Sequence, residues 1–463
     1  MSSTNRVVIL GGGISGLAAA YFLSQAGLRP ILIEKSNRLG GLIKTDFIEG
    51  CRLEAGPDSY IATKTSVTEL ARELDGLDSE IIGSNDSARR IFIVREGKLL
   101  PMPKAMVMMA PSEWKPVLTS KLFSTETKLR FVRETLQTPK IRAEDVSVGQ
   151  FVEEHFGREV LEYVAAPLLS GVYGGDAVNL STESVLPRFL AYEREYGSLI
   201  RGVRRERRAA NAKGSLFLSF RNGMQTLTDT LARAMASSIR VIHAEVTKVE
   251  GSGKEWRVYA GQDALACDHV ILACPAHQAA KLLENCAPSL ATELAGIPYS
   301  SVVLATTVYQ RANLGHPLDG FGFLVPRSER RDVAAATWVG TKWPERVPST
   351  LAALRAFIVG EEAIRLAAAA EQELLDVVQG EYRRVMGITA KPLFSTFYAW
   401  PRSMPQYVLG HKQRCLRISS KLAERPGLHL VNNAFDGVGI PDCVRLAKET
   451  AKAIVNKISL PLA

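Results

Sequence analysis

The sequence predicts an α/β protein whose parallel sheet draws strands from both ends of the chain and from its middle. Three observations carry this. Residues 6–16, RVVILGGGISG, join a β-branched run to an Ala-rich helix through a glycine turn. Residues 29–34, RPILIE, form a second apolar run that stops at an acid. Residues 427–455 repeat the strand, glycine turn and helix near the other terminus.

Composition narrows the class first. At 463 residues the chain exceeds one ordinary core and suits two or three. Its 46% hydrophobic and 23% charged residues are those of a folded enzyme, not a disordered chain. The net charge of +9 favours anionic company, either carboxylates, phosphates or acidic lipid. No recognition-helix, zinc-finger or RNA-binding motif accompanies it, so nucleic acid is not expected. The six cysteines lack CxxC spacing, which argues against a zinc site and a disulfide framework and for a reducing compartment. No uncharged apolar run approaches the ~18–20 residues of a spanning helix. A cytoplasmic protein is expected, with peripheral contact to a membrane left open.

The opening motif is GxGxxG. Gly11 permits the tight turn, Gly13 lets the backbone approach a pyrophosphate, and Gly16 allows close helix–strand packing. The helix of residues 17–26 offers free N–H groups to phosphates, and Gly27 caps its end. Glu34, at the end of the second strand, suits ribose hydroxyls and would repel a 2′-phosphate. Just beyond it stand Arg38 and the pair Gly40–Gly41. A nicotinamide fold has no need of them. An extended FAD does, because its pyrophosphate and ribityl chain run on past the first helix. This ExxxRxGG run resembles the signature of the large flavoprotein oxidase superfamily.

The far end repeats the logic. Residues 428–432 read as a strand, Gly437-Val438-Gly439 as a turn, and Pro441 fits a helix's first position. That helix start could face the flavin C2 carbonyl and N1, stabilising negative charge by about 1–2 kcal/mol. An ordinary strand–helix terminus is the blander alternative. Between the ends, residues 240–246 and 268–275 are strands, and residues 219–235 resemble the superfamily's glycine-marked entry into a helix. By that resemblance Val246 contacts the adenine end.

Residues 86–103 read as a hairpin turning at Arg95-Glu96-Gly97. Residues 105–214 are expected to be helical and amphipathic. Met102, Met106, Met108 and Met109 beside Trp114 suit a greasy channel or lipid, with core packing the preferred reading. The basic run from Arg188 to Lys213 is read as a solvated face, the rival being attraction of acidic lipid or a carboxylated substrate. Residues 290–400 alternate strands with a helix around 361–388. The expected division is an FAD-binding Rossmann-like domain from 1–85, 215–285 and 410–463, a mixed-sheet substrate domain from 86–104 and 286–409, and a helical membrane or channel domain over 105–214.

EAGPDSY (54–60), SGVYGGDAVNLS (170–181), GFGFLVPRSER (320–330) and WPRSMPQYVLGH (400–411) together resemble the protoporphyrinogen oxidases and their relatives, the bacterial coproporphyrinogen III oxidases. The resemblance implies FAD as cofactor, a porphyrinogen as substrate and O2 as oxidant, with a six-electron oxidation that releases H2O2 in haem biosynthesis. It implies FAD contacts at Gly11, Gly12, Gly13, Ile14, Ser15, Gly16, Glu34, Lys35, Arg38, Gly40, Gly41 and Leu42. Further contacts are implied at Gly56, Pro57, Asp58, Ser59, Val246, Trp400, Val438, Gly439 and Ile440. Asp58 departs from the Asn or Arg that many relatives carry.

For the substrate, the resemblance implies that Gly171 brings backbone close to the macrocycle and that Leu324 and Phe357 sandwich its rings. Arg95 would pair with a propionate, or else be a surface turn residue. His411 is read as structural, and no catalytic side chain or metal is assigned, the chemistry being the flavin's. Coproporphyrinogen III carries four propionates and protoporphyrinogen IX two, so a basic chain without an obvious lipid anchor leans towards the first. A homodimer is compatible with the resemblance. An amine or carotenoid-type flavin oxidase would share both ends of the chain but not SGVYGGD or WPRSMPQYVLGH. A non-catalytic carrier of the same fold would not hold flavin.

Overall fold

The computed structural model describes residues 6–209, 214–253 and 255–459; Lys213 and the side chain of Arg208 lie outside this description. Five parallel strands form the first sheet, in the order Arg240–His243, Ile31–Glu34, Val7–Leu10, His269–Leu272 and Leu428–Leu430. Both of its faces are covered, so its central strand Val7–Leu10 is apolar throughout instead of alternating. Val7, Ile9, Leu32 and Ile271 join the core with helices Ile14–Gln25 and Ile440–Ser459. Val8, Leu10, Ile33, Val270 and Leu272 face Trp256, Val258 and the helices Ala276–Leu283 and Pro288–Ala295. The two ends of the chain thus share one sheet and one pair of packed helices.

A seven-stranded mixed sheet stands beside it, in the order Phe394–Pro405, Tyr299–Gln310, Leu351–Val359, Val333–Trp338, Gly322–Leu324, Ile91–Arg95 and Lys98–Pro101. Only the Gly322–Leu324 and Ile91–Arg95 pair in it is parallel. One face, with Val303, Phe323, Ala336 and Ile358, packs on helix Glu371–Met386. The expected single helix around 361–388 is two, Glu361–Leu366 and Glu371–Met386.

The third part packs helices around Phe131, Phe151 and Phe156. It is not helical from its start. Met106–Val107 and Ala110–Pro111 pair as a short ribbon, with Ala105 and Met108 at positive φ, and helices begin at Trp114. Met109 is fully buried and Met102, Met106 and Met108 pack on the same core, as the preferred reading expected. In the basic run Arg207 pairs with Glu113 at 2.8 Å, and Arg204 lies 5.6 Å over Trp114.

Two buried carboxylates knit these helices together. Glu134 accepts from the backbone N–H groups of Leu199 and Ile200 and from the Ser198 hydroxyl, closing the start of helix Leu199–Ala209. His155 sits between Glu134 and Glu193, at 3.1 Å from each. Burial opposes its protonation, yet the two carboxylates outweigh burial and raise its pKa above the usual 6.5. A raised folded-state value contributes stability that is fully present below the unfolded pKa and disappears as pH rises through the folded one. Urea midpoints should therefore fall as pH rises from ~6 to ~9, and His155→Gln should flatten that part of the profile. An identical slope in the variant would remove His155 as its cause.

Candidate functional site

The glycine turn after Val7–Leu10 is sterically fixed. Gly11 has φ +112°, and a Cβ on Gly16 would lie 1.9 Å from the Gly11 carbonyl oxygen. Gly13 is different. A side chain there would meet nothing nearer than the Gly41 Cα at 4.0 Å. Protein packing does not require this glycine, and the space over its backbone is open. Ile14 opens the helix, with no side-chain cap and no acid in its first turn, so the N–H groups of Ile14, Ser15 and Gly16 remain for an anion.

Glu34 ends its strand over this turn, accepting from Gly12 N–H at 2.7 Å and from Ser36 N–H at 2.9 Å. Lys35 is exposed. Gly40 N–H donates to the Gly12 carbonyl at 2.8 Å, zipping the second glycine pair onto the first. Arg38 serves as the brace, its guanidinium donating to the carbonyls of Leu39 at 2.9 Å, of Ile43 at 2.8 Å and of Gly41. Leu42 and Gly56 touch through backbone, since a Cβ on Gly56 would lie 1.8 Å from the Leu42 oxygen. Val246 begins the next strand, beside Ala244, whose N–H donates to the Glu34 carbonyl at 3.0 Å.

The C-terminal turn closes on the same region. Helix Ile440–Ser459 starts after Val438 and Gly439, and Asp442 accepts from Gly439 N–H at 3.2 Å. Both Asp442 oxygens lie 2.7 Å from Lys64 Nζ, which offsets the acid at the positive end of the helix dipole. Tyr407, which the sequence reading quoted in its motif but gave no role, holds the loop before this turn. Its hydroxyl accepts from Gly437 N–H at 3.0 Å and donates to the Asn433 carbonyl at 2.7 Å. His411 stacks under its ring at 4.0 Å and 11°, a packed histidine. Trp400 Nε1 donates to the Ala55 carbonyl at 2.6 Å, tying the mixed sheet to the segment of Pro57 and Ser59.

Asp58 has partners that explain its charge. Lys342 Nζ lies 2.8 Å away, Ser59 donates at 2.7 Å, and Trp343 Nε1 approaches to 3.3 Å. Arg355, 3.9 Å from Asp58, also donates to the Gly56 carbonyl. Burial works against the carboxylate, but Lys342 and Arg355 reverse this and hold it well below the usual range. Below lies a second pair, Glu54 and Arg346 at 2.8 Å, with Met224 N–H also donating to Glu54 at 2.8 Å. Burial raises the Glu54 pKa against the pull of Arg346. Lys342, Arg346 and Arg355 were invisible as site residues because their partners lie far away in sequence.

The second face of the mixed sheet carries a row of apolar side chains. Leu324 pairs across to Ala335, and Ala335 to Phe357, so the three lie in one row on one face. Two strand spacings, about 9–10 Å, separate Leu324 from Phe357 with only a methyl group between them. The step down from Leu324 and Phe357 to Ala335 forms a slot in this row. Leu304 and Tyr398 extend the row, and Val302 and Trp400 begin the next.

Gly171 lies inside helix Ala166–Tyr173 and not in a loop, with open space where a Cβ would stand. That helix ends at Gly174, whose Cβ position is 3.0 Å from Val302 on the slot's face. Arg95 ends its strand, and the turn is the two residues Glu96 and Gly97, with φ 52° and 71°. Its guanidinium is committed to Glu159 at 2.8 Å and lies 4.6 Å over the Tyr163 ring. The bonds to Glu159 and to the Leu122 carbonyl both use Nη1, which leaves the other guanidinium donors for a second acceptor.

Residues 14–455 match the flavin containing amine oxidoreductase family. The chain is 31% identical to coproporphyrinogen III oxidase of Bacillus subtilis, over 96% of each protein. It is 25% identical to the mitochondrial protoporphyrinogen oxidase of Nicotiana tabacum, over 98% of this chain and 95% of that one. A crystal structure from Exiguobacterium sp. superposes with a TM-score of 0.88 at 30% identity, covering 99% of this chain and all of the other. Cyclohexylamine oxidase of Brevibacterium oxydans shares the fold at 18% identity and a TM-score of 0.69, over 99% of this chain and 100% of that one.

Proposed function

The chain belongs to the flavin containing amine oxidoreductase family, and we propose that it oxidises coproporphyrinogen III to the porphyrin in haem biosynthesis. It is an FAD-dependent porphyrinogen oxidase. The choice of coproporphyrinogen over protoporphyrinogen is our reading, supported by the higher full-length identity to the coproporphyrinogen III oxidase and by the net charge of +9. The observation that carries the macrocycle is the slot between Leu324 and Phe357 over Ala335.

The residues present fit the cofactor. Gly13 keeps backbone open that no protein atom needs, Glu34 ends its strand beside the glycine turn as a ribose acceptor would, and the start of helix Ile14–Gln25 is free of acids. When bound, FAD supplies a two-electron acceptor; three rounds, each with O2 reduced to H2O2, remove the six electrons and six protons that separate porphyrinogen from porphyrin. The protein's own part is positional. Leu324 and Phe357 fix the ring plane, Ala335 sets its depth, and Trp400 and Arg355 lock the sheet to the Ala55–Gly56 backbone.

Both porphyrinogens offered under air, with porphyrin fluorescence and peroxide followed, test the reading. Coproporphyrin should form faster than protoporphyrin, with about one peroxide per electron pair removed. Fluorescence no greater than the autoxidation blank for either would overturn it.

Among the described residues no helix is long and apolar enough to cross a membrane. We place the protein in the cytoplasm, touching acidic lipid through the exposed Leu129, Val132, Leu136 and Ile141 beside Lys128 and Arg133. Sedimentation with anionic but not neutral vesicles is the expected result; equal recovery with both would remove this contact.

A further inference from the structure

The slot has a neighbour that the flavin chemistry does not use. A cavity of about 400 Å³ opens between helix Ala166–Tyr173 and the segment after strand Gly322–Leu324, with Ser170 and Arg330 on its lining. Two polar atoms there are buried and lack a hydrogen-bond partner, the Ser170 hydroxyl and Arg330 Nε. Arg330 is otherwise held by donating to the Val325 carbonyl at 3.3 Å, and no carboxylate among the described residues lies within ion-pair distance of it. Burial lowers its pKa, and Arg327 adds to this, against the opposing pull of Glu362 and Asp176. A buried guanidinium N–H and a buried hydroxyl without partners beside one cavity are unfavourable unless an acceptor arrives.

The rest of the lining says which acceptor. Leu161 and Pro167 offer apolar walls. Arg158 and Arg327 stand exposed at the rim, as do Glu153 and Asp176. Asp176 is engaged by Val178 N–H at 3.1 Å. Glu162 completes a lining that is balanced in charge, so a highly charged anion gains little there. A single carboxylate on a short alkyl arm suits it better, with the alkyl carbons against Leu161 and Pro167 and the oxygens on Arg330 and Ser170.

Position links this cavity to the slot. Arg327 and Arg330 follow Leu324 within six residues of chain, and Leu324 is one wall of the slot. Helix Ala166–Tyr173 lines the cavity with Ser170 and rests its end on Val302 of the slot's face. We propose that this cavity is a substrate subsite for one carboxylate, a propionate under the porphyrinogen reading on which this inference rests, with Arg330 and Ser170 as the residues that bind it. Arg330 then stands beside Arg95 as a second residue for a substrate propionate.

Steady-state kinetics of the holoenzyme on coproporphyrinogen III and on its tetramethyl ester tests this. Arg330→Ala should raise KM for the free acid about tenfold or more, with kcat and flavin content little changed. The ester, which has no carboxylate, should show the same KM in variant and wild type. Arg330→Lys should recover part of the loss. An unchanged KM for the acid, or an equal rise for acid and ester, would overturn the subsite while leaving the porphyrinogen reading intact. A wild-type enzyme inert to both substrates would overturn that reading, and the subsite with it. Should Arg330→Ala not fold, Arg330→Gln and Ser170→Ala carry the same comparison.

Discussion

Gly13→Val is expected to give a folded protein that emerges from purification colourless. The residue's φ of −72° and ψ of −179° are extended backbone that valine adopts without strain. No protein atom approaches within 4.0 Å of the new Cβ position, so the apoprotein should melt close to wild type. The side chain instead stands where the pyrophosphate must lie, at the opening of helix Ile14–Gln25. Overpacking of that kind costs about 3 kcal/mol, on the order of a hundredfold in FAD affinity. Gly16→Val is the contrast, because its Cβ would enter the Gly11 carbonyl at 1.9 Å and should abolish folding itself. Flavin absorbance per mole and thermal melting separate the two. A yellow Gly13→Val protein of normal affinity would put the nucleotide elsewhere.

Ala335→Phe should abolish porphyrin formation while leaving the protein yellow. Ala335 lies in register with Leu324 on one side and Phe357 on the other, and it is the smallest side chain of the three. A phenyl ring there fills the gap that a pyrrole would enter. We expect kcat/KM to fall by about a hundredfold or more, since lost near-attack placement alone reaches that size. None of the glycine turns that form the flavin cradle is touched, so flavin content should hold. Wild-type turnover in this variant would remove the slot from the substrate's path.

The nucleotide end of the molecule was legible because its demands are local. A glycine that no side chain can replace, an acid at a strand end and a helix start all fall within the span from Gly11 to Glu34, and the structure assembles them as the spacing implied. Arg38 was legible as a position but not as a contact, because its acceptors are its own loop carbonyls. Within SGVYGGD only Gly174 takes the left-handed turn that ends the helix, and Gly171 stays inside it. The ribbon at Met106–Pro111 was hidden because its turn uses Ala105 and Met108 at positive φ, where sequence gives no glycine signal. The Asp58–Lys342–Arg355 cluster was out of reach altogether, since only the sheet register brings those residues together. The same holds for Arg330, which looks like one more surface charge in PRSER until helix Ala166–Tyr173 covers it.

Anaerobic mixing of the yellow holoenzyme with coproporphyrinogen III tests the central claim most directly. The flavin absorbance should bleach as porphyrin appears, and admitting air should restore the yellow colour with release of peroxide. Porphyrin formed while the flavin stays oxidised, or a flavin that never bleaches in the presence of the porphyrinogen, would contradict the account.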